Sequence, residues 1–325
     1  MKILLRKINH RFYIIYLKYI RHPWEGYKFR KKANLTYIDI LPKNANYYLC
    51  IVAIFRGEDD YLEEWIGFNK LMGVEHFILY DNGLDPNSKV LLQKYIDDGS
   101  VTHILFPDID GLRDGKHADT LSIQQLAYAD CIIRFRKKFK YLLQLDIDEF
   151  LFPIMHNSIT EILKEFDDSK LSRIEVNWTN FGDSGYNKKP NGLVIENFIK
   201  TGINIVNQTV KSISNSKYLS RRFVYTNVHR FSHRFSIIDM ITKAFIGYPF
   251  VIKGKKANNL FQLNHYITKS KEEYSQKLRI NKKGYMVGKE TDEMYIELNK
   301  KYNEIKNTEI SRFVPILKSL IVDIK

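Results

Sequence analysis

The sequence contains no long apolar run and only two cysteines. No segment reaches the about 18 uninterrupted apolar residues that a membrane-spanning helix needs. The apolar stretch near the start is interrupted by Arg11 and Lys18, and no small-residue cleavage site follows it, so we expect neither a span nor a signal peptide. Cys50 and Cys131 lie in apolar segments, which predicts buried free thiols and a cytoplasmic protein.

Three common motifs of catalytic sites are also missing. The sequence has no Walker-type G-x-x-x-x-G-K-[ST] motif, which argues against a P-loop kinase or ATPase. There is no C-x-x-C pair and no H-E-x-x-H sequence, so zinc chemistry has no support. A catalytic site in this chain therefore has to be built from other residues.

The formal net charge of +14 suits three classes of partner: nucleic acid, anionic lipid and anionic sugar nucleotides. Ten Lys or Arg residues fall within 1–32, interleaved with aromatic and aliphatic side chains. This mixture is typical of a helix lying on an acidic membrane surface, and equally of a helix that packs on the domain with solvated basic side chains. We treat 1–45 as an N-terminal extension that suits a peripheral position on the inner face of a membrane.

The pattern after residue 45 alternates short apolar segments with amphipathic ones. Strands are predicted at 47–55, 74–80, 101–106 and 141–145, and helices at 61–72, 90–96 and 122–138. This order predicts an α/β fold with a mostly parallel, doubly wound sheet flanked by helices, in which ligands bind beyond the carboxyl ends of the strands. We assign this domain to 46–268, with 193–265 less regular, and a helical C-terminal segment to 269–325.

A cluster of carboxylates follows the last of these strands. The sequence YLLQLDIDEFLFP places Asp146, Asp148 and Glu149 within four residues, and period-two alternation puts both aspartates on one face. Two solvated turn aspartates are the alternative explanation, but the flanking residues are apolar and unpaired burial of carboxylates is costly. Two hard oxygen ligands suit Mg²⁺ or Mn²⁺ and leave coordination positions for diphosphate oxygens.

Four stretches of the chain resemble glycosyltransferase family 92 and its bacterial relatives in the family 2-like group. They occur in the family's order between about residues 50 and 280, and they read AIFRGEDDYLEEWIGFNKLMGVEHFILYDN, QQLAYADCIIRFRKKFKYLLQLDIDEFLFP, NWTNFGDSGY and NHYITKSKEEYSQKLR. The resemblance implies a GT-A fold, a nucleotide-sugar donor such as a UDP-sugar, Mn²⁺ or Mg²⁺, and inversion at the anomeric carbon.

The resemblance also implies roles for individual residues. Donor binding is expected of Arg56, Glu58, Asp81, Asn82, Gln124 and Asp146. Metal binding is expected of Asp146, Asp148 and His265, the last being the histidine of the sequence NHY.

The chain departs from the family in the acceptor loop. The family loop usually reads F-G-S-S-G-H, whereas here it reads FGDSGY over 181–186. An inverting transferase needs a general base for the acceptor hydroxyl, and Asp183 in this loop has the right chemistry. Glu175 and Asp239 are the alternatives for this base, and Glu149 of the D-x-D-E motif is the second predicted catalytic residue.

These observations favour transfer of a hexose to a hydroxyl of a growing surface glycan, such as lipopolysaccharide or capsule, with a glycan or lipid-linked glycan as acceptor. A nucleic-acid-binding protein is one alternative, since a basic chain rich in tyrosine suits a backbone groove. No nucleic-acid motif is present, so we expect no nucleic acid partner. A catalytically inactive scaffold is the other alternative, and the intact Asp146 and Asp148 argue against it.

Overall fold

A ten-stranded sheet with helices on both faces forms the body of the protein. A computed structural model describes residues 36–38, 41, 44–83, 86–106, 122–203, 208–219, 228–231, 250–282 and 292–322. Most of the predicted N-terminal extension, including all of 1–32, lies outside the described residues.

The strands and helices are numbered in chain order. The strands are β1 (Thr36–Ile38), β2 (Tyr47–Phe55), β3 (His76–Asp81), β4 (Val101–Leu105), β5 (Phe139–Gln144), β6 (Glu149–Pro153), β7 (Leu171–Asn180), β8 (Lys200–Thr201), β9 (Val210–Asn215), β10 (Phe250–Lys253), β11 (Phe261–His265) and β12 (Ile305–Lys306). The helices are α1 (Asp59–Leu71), α2 (Pro86–Asp97), α3 (Ile123–Phe135), α4 (Ile159–Lys164), α5 (Val194–Asn197), α6 (Lys255–Leu260), α7 (Lys271–Lys282), α8 (Asp292–Tyr302) and α9 (Val314–Val322).

The strand order of the large sheet is β1-β4-β3-β2-β5-β9-β7-β11-β6, with β10 paired to β7. β4, β3, β2 and β5 are parallel to one another, as the alternation of strands and helices predicted. β9 lies antiparallel between β5 and β7, and β11 runs parallel to β7 but antiparallel to β6. The α/β class with a mostly parallel, helix-flanked sheet is thus confirmed.

The apolar run of β2 is continuous because both faces of the strand are buried. Leu49, Ile51, Ala53 and Phe55 enter one hydrophobic cluster with residues of α1. The alternate residues Cys50 and Val52 enter a second cluster on the opposite face, with residues of α3. Both faces are therefore covered, as a doubly wound sheet requires, and Cys50 and Cys131 are the buried free thiols that were predicted.

Local signals account for the ends of two helices. Ser122 caps α3 through a capping box with Gln125, in which each side chain accepts a hydrogen bond from the other residue's backbone N–H. α1 ends at Leu71, and Gly73 follows with φ of +89°, a conformation that glycine adopts without strain. The helix predicted at 61–72 is confirmed, with its end one residue earlier.

The C-terminal segment is helical, as predicted, and packs against the rest of the domain. A Cβ added at Gly67 of α1 would lie 3.0 Å from Leu317 Cδ1 of α9, so these helices are in close contact. The guanidinium of Arg312 donates to the carbonyl of Ile154 at 2.7 Å, and β12 pairs with β8. Contacts thus cross the boundary predicted at 268, and the domain limits stay predictions.

The structure differs from the sequence analysis between residues 193 and 265. That region was described as less regular, yet it supplies β8, β9, β10 and β11, two of which lie inside the sheet. β9 has the sequence VKSISN, which contains a lysine and three other polar residues, although the strand is almost entirely buried. A strand of this composition lacks the apolar run that would predict a buried strand from the sequence. In the part of the chain that the structure describes, no helix has both the length and the apolar character needed to cross a bilayer.

Candidate active site

The parallel strands bring three loops to one edge of the sheet. Phe55, the last residue of β2, pairs in register with Asp81, the last residue of β3, and β5 ends beside them. The loops after β2 and β3 touch, since a Cβ added at Gly83 would lie 3.7 Å from the Cα of Arg56. The residues that follow β2, β3 and β5 therefore meet at this edge, as predicted.

Asp146 follows β5 and is held from two sides. Gln124 Nε2 donates to Asp146 Oδ1 at 2.7 Å, and Lys211 Nζ lies 2.7 Å from Oδ2. The hydroxyl of Tyr128 lies 3.4 Å from the same Oδ1. The side chain is 32% exposed, so this oriented carboxylate still presents a face to a ligand.

Glu149 lies directly beneath Asp146 and is completely buried. Its Oε2 accepts the backbone N–H of Asp146 at 2.8 Å and lies 3.2 Å from Lys211 Nζ, while Oε1 has no hydrogen-bond partner among the described residues. Burial raises the pKa of the Glu149 carboxyl well above its ordinary value, and Lys211 only partly opposes this effect. Glu149 therefore contacts both the backbone of Asp146 and the ammonium group of Lys211, and helps to fix their positions.

Lys211 is a buried lysine of β9 that the sequence analysis did not assign to the site. Its side chain is 1% exposed and bridges Asp146 and Glu149. Burial alone would lower the pKa of this ammonium group, but the two carboxylates outweigh burial and raise the pKa above its ordinary value. Lys211 is the only charged residue of β9, but the polar composition of this strand gives no local sign that the lysine is buried.

Asp148 and His265 face each other from neighbouring positions. His265 pairs with Glu149 across β11 and β6, and the backbone N–H of Tyr266 donates to the carbonyl of Asp148 at 2.9 Å. The imidazole Nε2 lies 3.7 Å from Asp148 Oδ1, which is too long for a hydrogen bond. Lys277 Nζ holds the other carboxylate oxygen of Asp148 at 2.9 Å.

The protonation states of this pair suit a metal ligand. Burial lowers the pKa of His265 to about 4, with Asp148 opposing, so the imidazole is neutral near pH 7. Its Nδ1 lies 2.9 Å from Asn180 Oδ1, an acceptor, so Nδ1 carries the ring proton and donates this hydrogen bond, and Nε2, the atom nearer Asp148, keeps its lone pair. Burial would raise the pKa of Asp148, but Lys277, His265 and Lys269 outweigh it and hold that pKa below its ordinary value.

The residues fit a divalent cation that also binds substrate. His265 Nε2 and Asp148 Oδ1 lie 3.7 Å apart. Because neither atom carries a proton, each has a lone pair that can bind a cation. Across the described ranges, no group of three or more His, Cys, Asp or Glu side chains is arranged to hold a metal ion by itself. Mg²⁺ typically takes one or two carboxylates and completes its coordination with water and phosphate oxygens, which this pair permits.

Glu58 and Lys269 complete the charged cluster. Glu58 precedes α1 and is half-buried. Burial and the neighbouring Asp148 raise its pKa to about 7, while Lys269 and Lys277 oppose them. The predicted donor residue Glu58 therefore lies in the same electrostatic environment as Asp148.

Asp81 and Asn82 lie at the predicted edge, but their side chains bind the protein itself. Asp81 is fully buried, with Oδ1 accepting the backbone N–H of Gly83 at 3.0 Å and Oδ2 lying 3.0 Å from Nε2 of His103. The amide of Asn82 donates to the carbonyl of Phe106 at 2.9 Å. Both residues shape the loop after β3, and a direct contact with the donor stays a prediction.

Asp183 is tied to the C-terminal helices. Its Oδ2 accepts from the hydroxyl of Tyr295 at 2.6 Å, and its Oδ1 accepts from Nδ2 of Asn303 and the backbone N–H of Gly185, both at 2.8 Å. These three hydrogen bonds occupy most of the lone pairs of the carboxylate, and a general base needs one that can accept the proton of the acceptor hydroxyl. That role stays a prediction.

Glu175 and Asp239 are the alternatives to Asp183 as the general base. Glu175 lies 2.6 Å from Arg173 and 3.5 Å from Arg230, and these two cations neutralise its charge. Asp239 lies outside the described residues.

A cavity of about 700 Å³ opens at the opposite end of the sheet, where β2 and β5 begin. Basic and aromatic side chains line it, including Tyr47 and Phe139. No predicted site residue among those described belongs to its wall. The side-chain chemistry at the other edge therefore defines the candidate site.

Sequence comparison identifies relatives whose names agree with this chemistry. A glycosyltransferase family 92 protein of Oryza sativa subsp. japonica is 25% identical over 146 residues, covering 44% of this chain and 23% of that protein. The galactan beta-1,4-galactosyltransferase GALS1 of Arabidopsis thaliana is 26% identical over 120 residues, covering 36% of this chain and 23% of that protein. The matched region spans about a quarter of the length of each relative.

Two solved structures align with most of this chain at low TM-scores. An active-site mutant of LgtC is 13% identical, with a TM-score of 0.31 over 80% of this chain and 99% of that chain. A glucose-1-phosphate thymidylyltransferase from Bacillus anthracis is 11% identical, with a TM-score of 0.34 over 76% of this chain and 98% of that chain.

The family model provides the decisive comparison. The model of glycosyltransferase family 92 matches residues 45–313, which include every element from β2 to β12 and all of the charged cluster. This range contains the four stretches on which the resemblance was noted. With its carboxylates, histidine and lysines gathered within that range, the chain belongs to glycosyltransferase family 92.

Proposed function

We propose that this chain transfers a sugar from a nucleoside diphosphate sugar to a hydroxyl group of a glycan. The observation that carries the proposal is the meeting of Asp146, Asp148 and His265 beyond the ends of the parallel strands, with lysines around them. Carboxylates and ammonium groups side by side suit a ligand that is itself anionic and bound to a cation. Membership of the family supports the class of reaction.

Asp148 and His265 are the residues that would hold Mn²⁺ or Mg²⁺, with Asp146 beside them. The hydrogen bond to Asn180 fixes the imidazole in the tautomer that a metal requires. When bound, the divalent ion supplies positive charge that stabilises the leaving diphosphate.

The remaining side chains orient the donor. Gln124 and Lys211 fix the Asp146 carboxylate, whose exposed face suits accepting hydrogen bonds from hydroxyl groups of the donor. Glu149 keeps Lys211 and the backbone of Asp146 in place. These contacts hold the Asp146 carboxylate in a fixed orientation, as electrostatic stabilisation of a bound donor requires.

For the finer chemistry we propose a UDP-hexose donor, inversion at the anomeric carbon and a growing surface glycan as acceptor. The name of the galactan galactosyltransferase relative supports a hexose donor and a glycan acceptor. A lipid-linked acceptor at the inner face of a membrane rests on the basic, aromatic composition of 1–32, which lie outside the described residues.

Thermal melting against a panel of nucleoside diphosphates, with and without Mn²⁺, tests the donor site. A ligand at a hundred times its dissociation constant stabilises a protein by roughly 2.7 kcal/mol. We expect a Mn²⁺-dependent rise in melting temperature with one nucleotide, and its loss in Asp148→Asn. The matched control is Asp98→Asn, an exposed aspartate just before β4 begins, which should respond as the wild type does. If no nucleotide changes the melting temperature of the wild type, the proposed donor site is wrong.

A further inference from the structure

Lys269 is a buried cation in an uncommon backbone conformation. It lies between β11 and α7 with φ of +50°, in the left-handed region that residues other than glycine rarely adopt. Its side chain is buried, and Nζ lies 3.4 Å from the centre of the Tyr61 ring. Strain of this kind persists only where the surrounding structure enforces it, and it concentrates at functional sites.

The start of α7 enforces the position of Lys269. Ser270 Oγ accepts the backbone N–H of Glu273 at 3.3 Å, and Glu273 Oε2 accepts the backbone N–H of Ser270 at 3.0 Å. This capping box fixes the residue that immediately follows Lys269. The hydroxyl of Tyr61 donates to the other oxygen of Glu273, so the ring beneath the ammonium group is fixed as well.

Among the residues that the structure describes, no anionic side chain forms a hydrogen bond or ion pair with the ammonium group of Lys269. Of the oxygen atoms in the described ranges, none forms a hydrogen bond or ion pair with its Nζ. Lys189 provides a contrast, because its Nζ also lies over the Tyr61 ring, at 4.8 Å, but is paired with Asp60 at 2.7 Å and is well exposed. A buried ammonium without a hydrogen-bond acceptor is costly, and an anionic ligand removes that cost.

The location of Lys269 indicates which anion it binds. α7 begins two residues after Lys269 and carries Lys277, whose Nζ lies 2.9 Å from Asp148 Oδ2. Burial lowers the pKa of Lys269, while Asp148 and Glu58 oppose this effect without a hydrogen bond or ion pair to its ammonium group. A ligand that touches Lys269 therefore lies beside Asp148, where the proposed function places the diphosphate of the donor. Phosphoryl oxygens are strong acceptors for an ammonium group.

We propose that Lys269 forms an anion subsite for the diphosphate of the nucleotide sugar and contacts the phosphoryl oxygens that leave with the nucleotide. This inference rests on the proposed function. It adds a ligand-contacting residue that neither the D-x-D sequence nor the predicted donor residues include.

Isothermal titration calorimetry with a nucleoside diphosphate and the matching monophosphate, at constant Mn²⁺, tests the subsite. We expect Lys269→Met to weaken diphosphate binding about tenfold or more, the scale of one charge-assisted hydrogen bond, and to leave monophosphate binding nearly unchanged. Lys189→Met, the matched control on the same ring, should change neither affinity. Lys269→Gly removes both the buried charge and the backbone strain, so this variant should melt at or above the temperature of the wild type. Its diphosphate affinity should fall as much as that of Lys269→Met.

The outcomes separate this inference from the proposed function. Equal diphosphate affinity in the wild type and in Lys269→Met, or in Lys269→Gly if the first variant does not fold, overturns the subsite. If the wild type binds no nucleotide, the donor site itself is wrong, and inorganic pyrophosphate becomes the probe. Pyrophosphate binding that does not depend on Lys269, or no binding at all, then overturns the subsite too.

Discussion

Replacing Lys211 by methionine keeps most of the side-chain volume and removes the charge between Asp146 and Glu149. The lysine is 1% exposed and Glu149 is fully buried, so neither group can recover its hydration when the other is lost. Removing one partner of a buried ion pair costs about 3–5 kcal/mol. Asp146 is partly exposed and regains water, which places our expectation at the lower end, about 3 kcal/mol of unfolding free energy, measured by urea denaturation.

The exposed pair of Lys318 and Glu196 is the matched control for this prediction. Lys318 Nζ and Glu196 Oε1 lie 2.6 Å apart, about as close as Lys211 Nζ and Asp146 Oδ2, but both side chains of the exposed pair are more than a third exposed. Lys318→Met should cost less than about 1 kcal/mol. A double-mutant cycle of Lys211→Met with Asp146→Asn should give a coupling energy of about 2 kcal/mol. A coupling energy no larger than that of the exposed pair would refute the reasoning from burial.

Two further predictions concern stability and catalysis. His76 is buried, with Nδ1 on the carbonyl of Gly99 and Nε2 on the hydroxyl of Thr102, and burial lowers its pKa to about 4. In the unfolded chain His76 takes up a proton near pH 6.5, whereas in the folded protein it does so only near pH 4. We therefore expect about 3 kcal/mol of unfolding free energy, fully present above pH 6.5, to be lost as the pH falls to 4. His76→Gln should flatten this part of the urea-denaturation profile, and an unchanged profile would contradict the assignment to His76. Asp183→Asn and Tyr295→Phe should each lower stability by about 1 kcal/mol and the transfer rate less than tenfold, since the carboxylate anchors the loop to α8. A hundredfold loss of kcat in Asp183→Asn alone, with stability unchanged, would instead support the general base.

The carboxylates of the site were predictable because their signal is local. An apolar strand followed at once by Asp146 and Asp148 places charge at the edge of a buried sheet, whatever the rest of the chain does. Gln124 could be linked to Asp146 only through the resemblance to the family, because the two residues belong to different elements. In the structure, Gln124 Nε2 lies 2.7 Å from Asp146 Oδ1.

The lysines of the site could not be found in the same way. Lys211 and Lys277 follow Asp146 and Asp148 by 65 and 129 residues, and the chain contains 51 lysines and arginines. Nothing in the local sequence shows which of these meets a carboxylate. The contact of Lys211 with Asp146 depends on β9 entering the sheet between β5 and β7, a long-range pairing that periodicity does not reveal.

The pairing of β6 with β11 has a consequence for redesigning the enzyme. Backbone hydrogen bonds set His265 opposite Glu149, so the spacing between imidazole and aspartate is inherited from the sheet rather than from any loop. A designer can lengthen, shorten or exchange the connections that leave the sheet at this edge while keeping that spacing. New acceptor preferences are therefore best sought by grafting loops, whereas insertions within β6 or β11 would shift the register and separate the two side chains.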